Sequence, residues 1–278
     1  MKSLPSRTAC AGSALLLSLS GLQPAVAADP NTFSANIGAV SNYMWRGVTQ
    51  TQDGPAVQGG LDYAHASGFY AGLWASNVDW NNEGAPQSVT ILADPTTASG
   101  FQEDGAGNLV GITSGSSNPN SPNYELDVYL GYGAKINDDL KWDLNAILYA
   151  YPDGRSVNFA EIGGKLTYRW ITAGLAYTVW GQAEGGDDNT GVLYYEGDLY
   201  SFGALDFALP YDFAFNAHGG YYMFRNSNGD SYGNWGASVS RTLGAYGTVS
   251  FNYDQNGGNG ADYLDTDGKV WIGWKKTF

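Results

Sequence analysis

From residue 33 onward, apolar and polar side chains trade places at every second position, the period of a strand whose two faces meet different surroundings. In residues 33–48 the odd positions Phe33, Ala35, Ile37, Ala39, Tyr43 and Trp45 form one face, and Ser34, Asn36, Asn42 and Arg46 lie on the other. In 124–136, Tyr124, Leu126, Val128, Leu130 and Tyr132 oppose Glu125, Asp127 and Lys135. In 140–150, Leu140, Trp142, Leu144 and Leu148 oppose Lys141, Asp143 and Asn145, and in 158–168 Ile162 and Leu166 oppose Glu161 and Lys165. Residues 171–179, 195–209, 212–222, 232–240 and 245–254 alternate similarly, and 56–63 and 69–78 add two further segments. The last stretch sets Val270, Ile272, Trp274 and Phe278 against Lys269, Gly273, Lys275 and Thr277, with Lys276 interrupting the apolar face near the end. The pattern predicts twelve strands.

The connections sort by length. Short ones fall at 64–68, 137–139, 169–170, 210–211 and 241–244, and longer ones at 49–55, 79–123, 151–157, 181–194, 224–231 and 255–268. An even strand count with all short turns on one side is the rhythm of transmembrane barrels, which have short periplasmic turns and long external loops. Aromatic residues gather at strand ends. Tyr43, Trp45, Trp80, Tyr124, Tyr177, Trp180, Tyr195, Tyr221, Trp235 and Tyr253 lie toward the long loops. Trp142, Tyr168, Trp170, Tyr211, Trp274 and Phe278 lie toward the short turns, giving two belts. The fold expected is all-β: a closed antiparallel transmembrane β-barrel of about twelve strands, since lipid tolerates a sheet only when it has no edge. The closing strand ending on Phe278 points to the barrel-assembly machinery as a partner. From the strands alone, a soluble periplasmic β-protein is the competing fold.

Residues 1–28 carry the marks of a cleaved signal peptide: Lys2 and Arg7, an apolar run over 9–22, and Ala25-Val26-Ala27. The barrel would then occupy 29–278, with 79–123 a long external loop. Cys10, the one cysteine, lies in the leader, so the mature chain has neither disulfide nor thiol metal site. Losing Lys2 and Arg7 takes the net charge from −14 to −16, which argues against nucleic acid as a partner.

Two stretches resemble a known family. Ser41-Asn-Tyr-Met-Trp-Arg-Gly-Val48, followed by Pro55-Ala-Val-Gln-Gly-Gly60 and Gly68-Phe-Tyr-Ala-Gly-Leu-Trp-Ala-Ser-Asn-Val78, resembles the opening of the TorF-type porins of proteobacterial outer membranes. Tyr124-Glu-Leu-Asp-Val-Tyr-Leu-Gly-Tyr132, Tyr149-Ala-Tyr-Pro-Asp-Gly154 and Phe159-Ala-Glu-Ile162 continue the pattern. The resemblance implies a barrel in the outer membrane of a Gram-negative bacterium with a diffusion role, and it implies no particular substrate.

Strand parity places Arg46, Asp62, Glu125, Asp127, Lys135, Lys141, Asp143, Glu161, Lys165, Glu196, Asp198, Asp206, Asp212, His218 and Lys275 toward the lumen. So many charges imply a wet pore or a network of neutralising pairs that plugs a narrow one. Acids outnumber bases in this set, and acidic rings favour cations. The expected function is a channel for passive diffusion of small hydrophilic solutes, weakly cation-preferring. The alternative is an occluded barrel acting in surface binding or adhesion through acidic external loops. Arg46 is the candidate constriction residue, or the partner of Glu125 or Asp127 in an ion pair. Catalysis is not expected: His65 and Ser67 adjoin in a short turn, and no cofactor is called for. Weak calcium candidates are Asp187, Asp188, Asp265 and Asp267, which could bridge to lipopolysaccharide phosphates. Outer-membrane lipid is the surrounding solvent.

Overall fold

The computed structural model describes residues 31–80, 88–91, 111–114, 121–182, 194–225, 231–257 and 266–278. The expected signal peptide and the calcium candidates Asp187, Asp188 and Asp265 lie outside the described residues. Along the chain the strands are β1 (Asn31–Val40), β2 (Met44–Trp45), β3 (Val48–Thr49), β4 (Ala56–His65), β5 (Phe69–Asn77), β6 (Ser88–Ile91), β7 (Gly111–Ser114), β8 (Tyr124–Lys135) and β9 (Leu140–Ala150). They continue with β10 (Phe159–Tyr168), β11 (Ile171–Gly181), β12 (Leu199–Ala208), β13 (Phe213–Met223), β14 (Tyr232–Thr242), β15 (Thr248–Gly257) and β16 (Lys269–Thr277).

Twelve of these strands form one closed antiparallel barrel. Each neighbour follows the last in sequence, β5 pairs with β8 across the 79–123 region, and β1 closes the ring on β16. Closure pairs the ladder groups that an open sheet would leave bare. β2–β3 and β6–β7 are separate two-stranded ribbons.

The alternation read from the sequence sets the two surfaces. Leu61, Leu144, Ile162, Leu175, Phe251 and Ile272 are each more than half exposed on the outer face. Thr172, Asn216, Ser238, Ser240, Ser250 and Asn252 are buried on the inner one. Exposed aliphatic side chains all round a closed sheet suit acyl chains rather than water. Outward Tyr168, Trp170, Tyr211, Tyr246 and Phe278 mark the short-turn end, and Tyr124, Trp180, Tyr221 and Trp235 the long-loop end.

Inside, rings pack over glycines. Tyr70 lies opposite Gly131, and Tyr129 opposite Gly72. A Cβ on Gly131 would stand 2.3 Å from the Tyr70 ring, and one on Gly72 would stand 2.5 Å from the Tyr129 ring. Each tyrosine thus covers its neighbour's bare backbone.

The first expected strand, 33–48, ends early. β1 stops at Val40 and the chain turns into the barrel. Tyr43 and Trp45, assigned to the outer belt by parity, are therefore buried inside. Trp80 leaves the belt too: its ring lies 4.6 Å from that of Tyr151, and its indole donates to Gln50 Oε1 at 3.0 Å. Parity holds only while the strand continues, and the turn after Val40 resets it.

Candidate functional site

Residues 41–55, between β1 and β4, fold back into the lumen at its long-loop end. Ser41 anchors the departure: its N–H donates to Ile272 O at 2.9 Å, and its Oγ accepts from Ile272 N at 3.0 Å. Asp53 anchors the return, accepting from Asn42 Nδ2 at 2.7 Å and Lys269 Nζ at 2.6 Å. Between the anchors, Met44–Trp45 pairs with Val48–Thr49 around Arg46 and Gly47. Both turn residues have positive φ, 49° and 79°, as a type I′ hairpin turn requires. Gly47 suits its place, whereas arginine in a left-handed conformation is strained and persists only where its surroundings hold it.

What holds it is Glu161. Arg46 Nη1 donates to Glu161 Oε1 at 2.9 Å and Nη2 to Oε2 at 2.6 Å, a bidentate pair with both side chains about 1 % exposed. The guanidinium also sits 4.2 Å from the Trp45 ring, 4.3 Å from Tyr200 and 4.9 Å from Tyr222. A buried charge pair recovers its desolvation cost only with good geometry and further contacts, and this one has both. The partner is thus Glu161, where the sequence pointed to Glu125 or Asp127. The β10–β11 register shifts between Ala160 and Glu161, so that Val179 and Trp180 both face outward on β11. The extra residue is Val179 on β11, while Glu161 keeps its lumenal parity on β10, whose register with β9 is unbroken.

Around this pair the lumen is filled by rings. Tyr149 stacks on Phe159 at 4.4 Å, Phe159 stacks on Tyr194 at 4.1 Å, and Trp45 meets Tyr149, Phe159, Tyr194 and Tyr222 edge-on. The long-loop half of the lumen therefore carries a compact aromatic core, while the short-turn half is lined by Thr, Ser and Asn.

The other expected lumen residues divide into groups. Glu125 and Asp127 lie on the lumenal face of β8, near Tyr43. Asp62 accepts from the Tyr129 hydroxyl and from Asn36. Asp143 accepts from Tyr70 at 3.0 Å and lies opposite Lys165 in register. Asp206 accepts from Asn216 at 2.8 Å, and Lys275 is half-buried on β16. Lys135 and Lys141 share the lumenal parity but are exposed at the short-turn end.

Two expectations fail, and a third holds in a different role. Asp212 belongs to no strand: it sits in the turn before β13 with φ 62° and is exposed. Glu196 is exposed in the turn before β12. Asp198 is buried, but it serves that turn by accepting the backbone N–H groups of Tyr195 at 2.9 Å and Arg225 at 2.8 Å. The expected strands began at 195 and 212, whereas β12 starts at Leu199 and β13 at Phe213. Asp267, the calcium candidate within the described residues, is exposed.

One polar chain was missed except for His218, which parity had placed toward the lumen. Trp271 Nε1 donates to Asp254 Oδ2 at 2.7 Å, Asp254 Oδ1 meets His218 Nε2 at 2.9 Å, and His218 Nδ1 meets Asn216 at 3.0 Å. The signal was present, since positions 250, 252, 254 and 256 are all polar and Trp271 falls on the polar side of β16. His65 Nδ1 contacts Ser67 Oγ at 2.8 Å in an exposed turn. The histidine that meets a serine and the histidine that meets a carboxylate are thus different residues on different strands.

Residues 24–277 match a bacterial family described as "Bacterial protein of unknown function (Gcw_chp)". The chain belongs to this family. No curated protein matches the sequence. Among solved structures, the chain is similar to the KdgM porin, with 10% identity, 88% of this chain and 98% of that one covered, and a TM-score of 0.48. It is also similar to the NanC porin, with 11% identity, coverage of 88% and 98%, and a TM-score of 0.47. A third likeness is the CymD monoaromatic hydrocarbon channel, with 10% identity, coverage of 90% and 89%, and a TM-score of 0.42. These likenesses are too remote to carry a substrate or a mechanism, and the barrel of this Gcw_chp chain stands on its own strand pairing. None of these relatives bears the TorF-type designation.

Proposed function

We propose that this chain is an outer-membrane channel of the porin kind, passing small hydrophilic solutes by passive diffusion with a mild preference for cations. One observation carries the reading: a closed barrel, apolar outside, encloses an inner wall of Ser, Thr, Asn and paired charges. Lumenal acids (Asp62, Glu125, Asp127, Asp143, Glu161, Asp206 and Asp254) exceed the bases Arg46, Lys165 and Lys275, which favours cations along the path. The infolded 41–55 segment is the constriction, with Arg46 at its tip. On this reading the chain reaches the outer membrane of a Gram-negative cell after loss of residues 1–28. Its terminal strand would engage the barrel-assembly machinery through Phe278, and its external loops would face lipopolysaccharide.

The aromatic core favours a second reading, a closed barrel that binds at the cell surface through its acidic loops. Planar-bilayer recording of refolded mature protein across a salt gradient separates the two. Steady conductance with a cation-leaning reversal potential supports the channel. Silence from protein whose gel migration is heat-modifiable refutes it and supports the closed barrel.

A further inference from the structure

Of the Asp, Glu, Lys and Arg residues carried by the twelve barrel strands, all but two have lumenal parity. The exceptions are Arg241 on β14 and Lys276 on β16, and they share one corner of the outer wall. Arg241 lies opposite Val249 of β15, and Val249 lies opposite Trp274 of β16, so the three form one outward row. Lys276 follows Trp274 by two residues on the same face, at the short-turn end. Strand spacing and rise put the Arg241 and Lys276 Cα atoms about 12 Å apart, within reach of two long side chains turned toward each other. The lipid face of a barrel tolerates charge near an interface and not at the midplane, and both residues keep to the interface.

Neither cation has a counter-charge in the protein. Among the described residues the ion pairs join Arg46 to Glu161, Arg169 to Asp139, His218 to Asp254 and Lys269 to Asp53. The neighbouring turn brings in Asp212, whose carbonyl oxygen accepts from Thr242 N at 3.0 Å, but its carboxylate forms no ion pair with Arg241. Rings hold the two side chains instead: Phe213 lies 5.1 Å from the Arg241 guanidinium carbon, and Phe278 lies 4.8 Å from Lys276 Nζ. A ring covers one side of each cation and leaves N–H donors on the other. Between the two cations stands the 243–247 turn, fixed where Trp274 Nε1 donates to Tyr246 O at 2.8 Å, with the Tyr246 ring exposed.

We propose that Arg241 and Lys276 bind the headgroup phosphate of an anionic phospholipid in the leaflet that meets the short turns. A guanidinium takes a phosphate through two parallel N–H groups, and a lysine adds a point charge beside it. Two unpaired positive charges select a headgroup of net negative charge over a zwitterionic one, whose amine they repel. The rings of Tyr246, Trp274 and Phe278 suit the glycerol region below the phosphate. Lys276, which interrupts the apolar face of the last strand, thereby gains a role that neither the lumen nor the wall gives it. The inference rests on lipid covering the outer face and holds for an open or a closed lumen.

The test titrates refolded mature protein in detergent with phosphatidylglycerol and with phosphatidylcholine, and reads bound lipid by native mass spectrometry. The expected result is a preference for phosphatidylglycerol of about tenfold or more, weakened about fivefold in each of Arg241→Gln and Lys276→Gln, since each basic side chain near an anionic headgroup contributes a factor of that size. Both side chains stand outside the wall, so neither variant disturbs the sheet. Lys135→Gln removes one charge from the same end on the lumenal face and should bind both lipids as the wild type does. Equal binding of the two lipids by the wild type would overturn the proposal, and so would a preference kept in full by either outward variant. A loss in Lys135→Gln equal to that in Lys276→Gln would assign the preference to the net charge of the short-turn end and overturn it as well.

Discussion

Replacing Arg46 by Ala tests whether one ion pair locks the infolded segment. The substitution leaves Glu161 buried and unpaired at about 1 % exposure, with no bidentate donor at 2.9 and 2.6 Å. Breaking a buried pair from one side costs about 3–5 kcal/mol. Three rings also lose a cation at 4.2–4.9 Å, a contribution of about 0.5–1 kcal/mol each that overlaps with the first. At tenfold per ~1.4 kcal/mol, the locked-to-unlocked ratio should fall by about two to four orders of magnitude. Urea unfolding of refolded protein in detergent should show a loss of a few kcal/mol, and bilayer recordings should show larger or noisier currents. Pairing Arg46→Met with Glu161→Leu provides the control, because an apolar pair of similar volume should restore most of the stability. If the single variant unfolds within about 0.5 kcal/mol of wild type and conducts as before, the lock is not electrostatic and the reasoning is wrong.

Three further outcomes are expected. Gly47→Ala places a Cβ 2.3 Å from Asn256 Oδ1 at a φ of 79°, and should destabilise by about 1–3 kcal/mol in the same unfolding assay. Gly72→Val collides with the Tyr129 ring, at 2.5 Å from the built Cβ, and should cost about 1–3 kcal/mol, with relief on adding Tyr129→Leu in a double-mutant cycle. Arg169→Ala removes an exposed pair with Asp139 at 3.1 Å in a short turn and should leave the unfolding midpoint unchanged; a clear drop would show that exposed pairs count here.

Much of the barrel was legible because a strand in a closed wall has only two sides. Leu144 and Ile162 face out and Asp143 and Glu161 face in for the same reason, and the sorting of short and long connections follows from an even number of antiparallel strands. Strand ends were less legible. Glu196 and Asp212 alternate correctly with their successors, yet the ladder starts only at Leu199 and Phe213. Alternation continues through a turn residue as readily as through a paired one, and only backbone pairing tells them apart.

The filling of the lumen was not legible, and the reason is physical. Parity says which side chains point inward but not what meets them across the barrel, because partners such as Arg46 and Glu161 are 115 positions apart. Ser41-Asn-Tyr-Met-Trp-Arg-Gly-Val48 reads as the end of a strand, since Tyr43 and Trp45 keep the odd-position rhythm. Its local cue was Gly47 after a residue that seldom takes positive φ. A turn with Asn in place of Arg46 would have announced itself. Arginine there contradicts local preference, and such a conflict persists where a tertiary interaction outweighs it. The strain at Arg46 therefore has a purpose: the hairpin backbone bends so that a guanidinium meets flat-on a carboxylate that strand parity already aims into the dry part of an otherwise polar lumen.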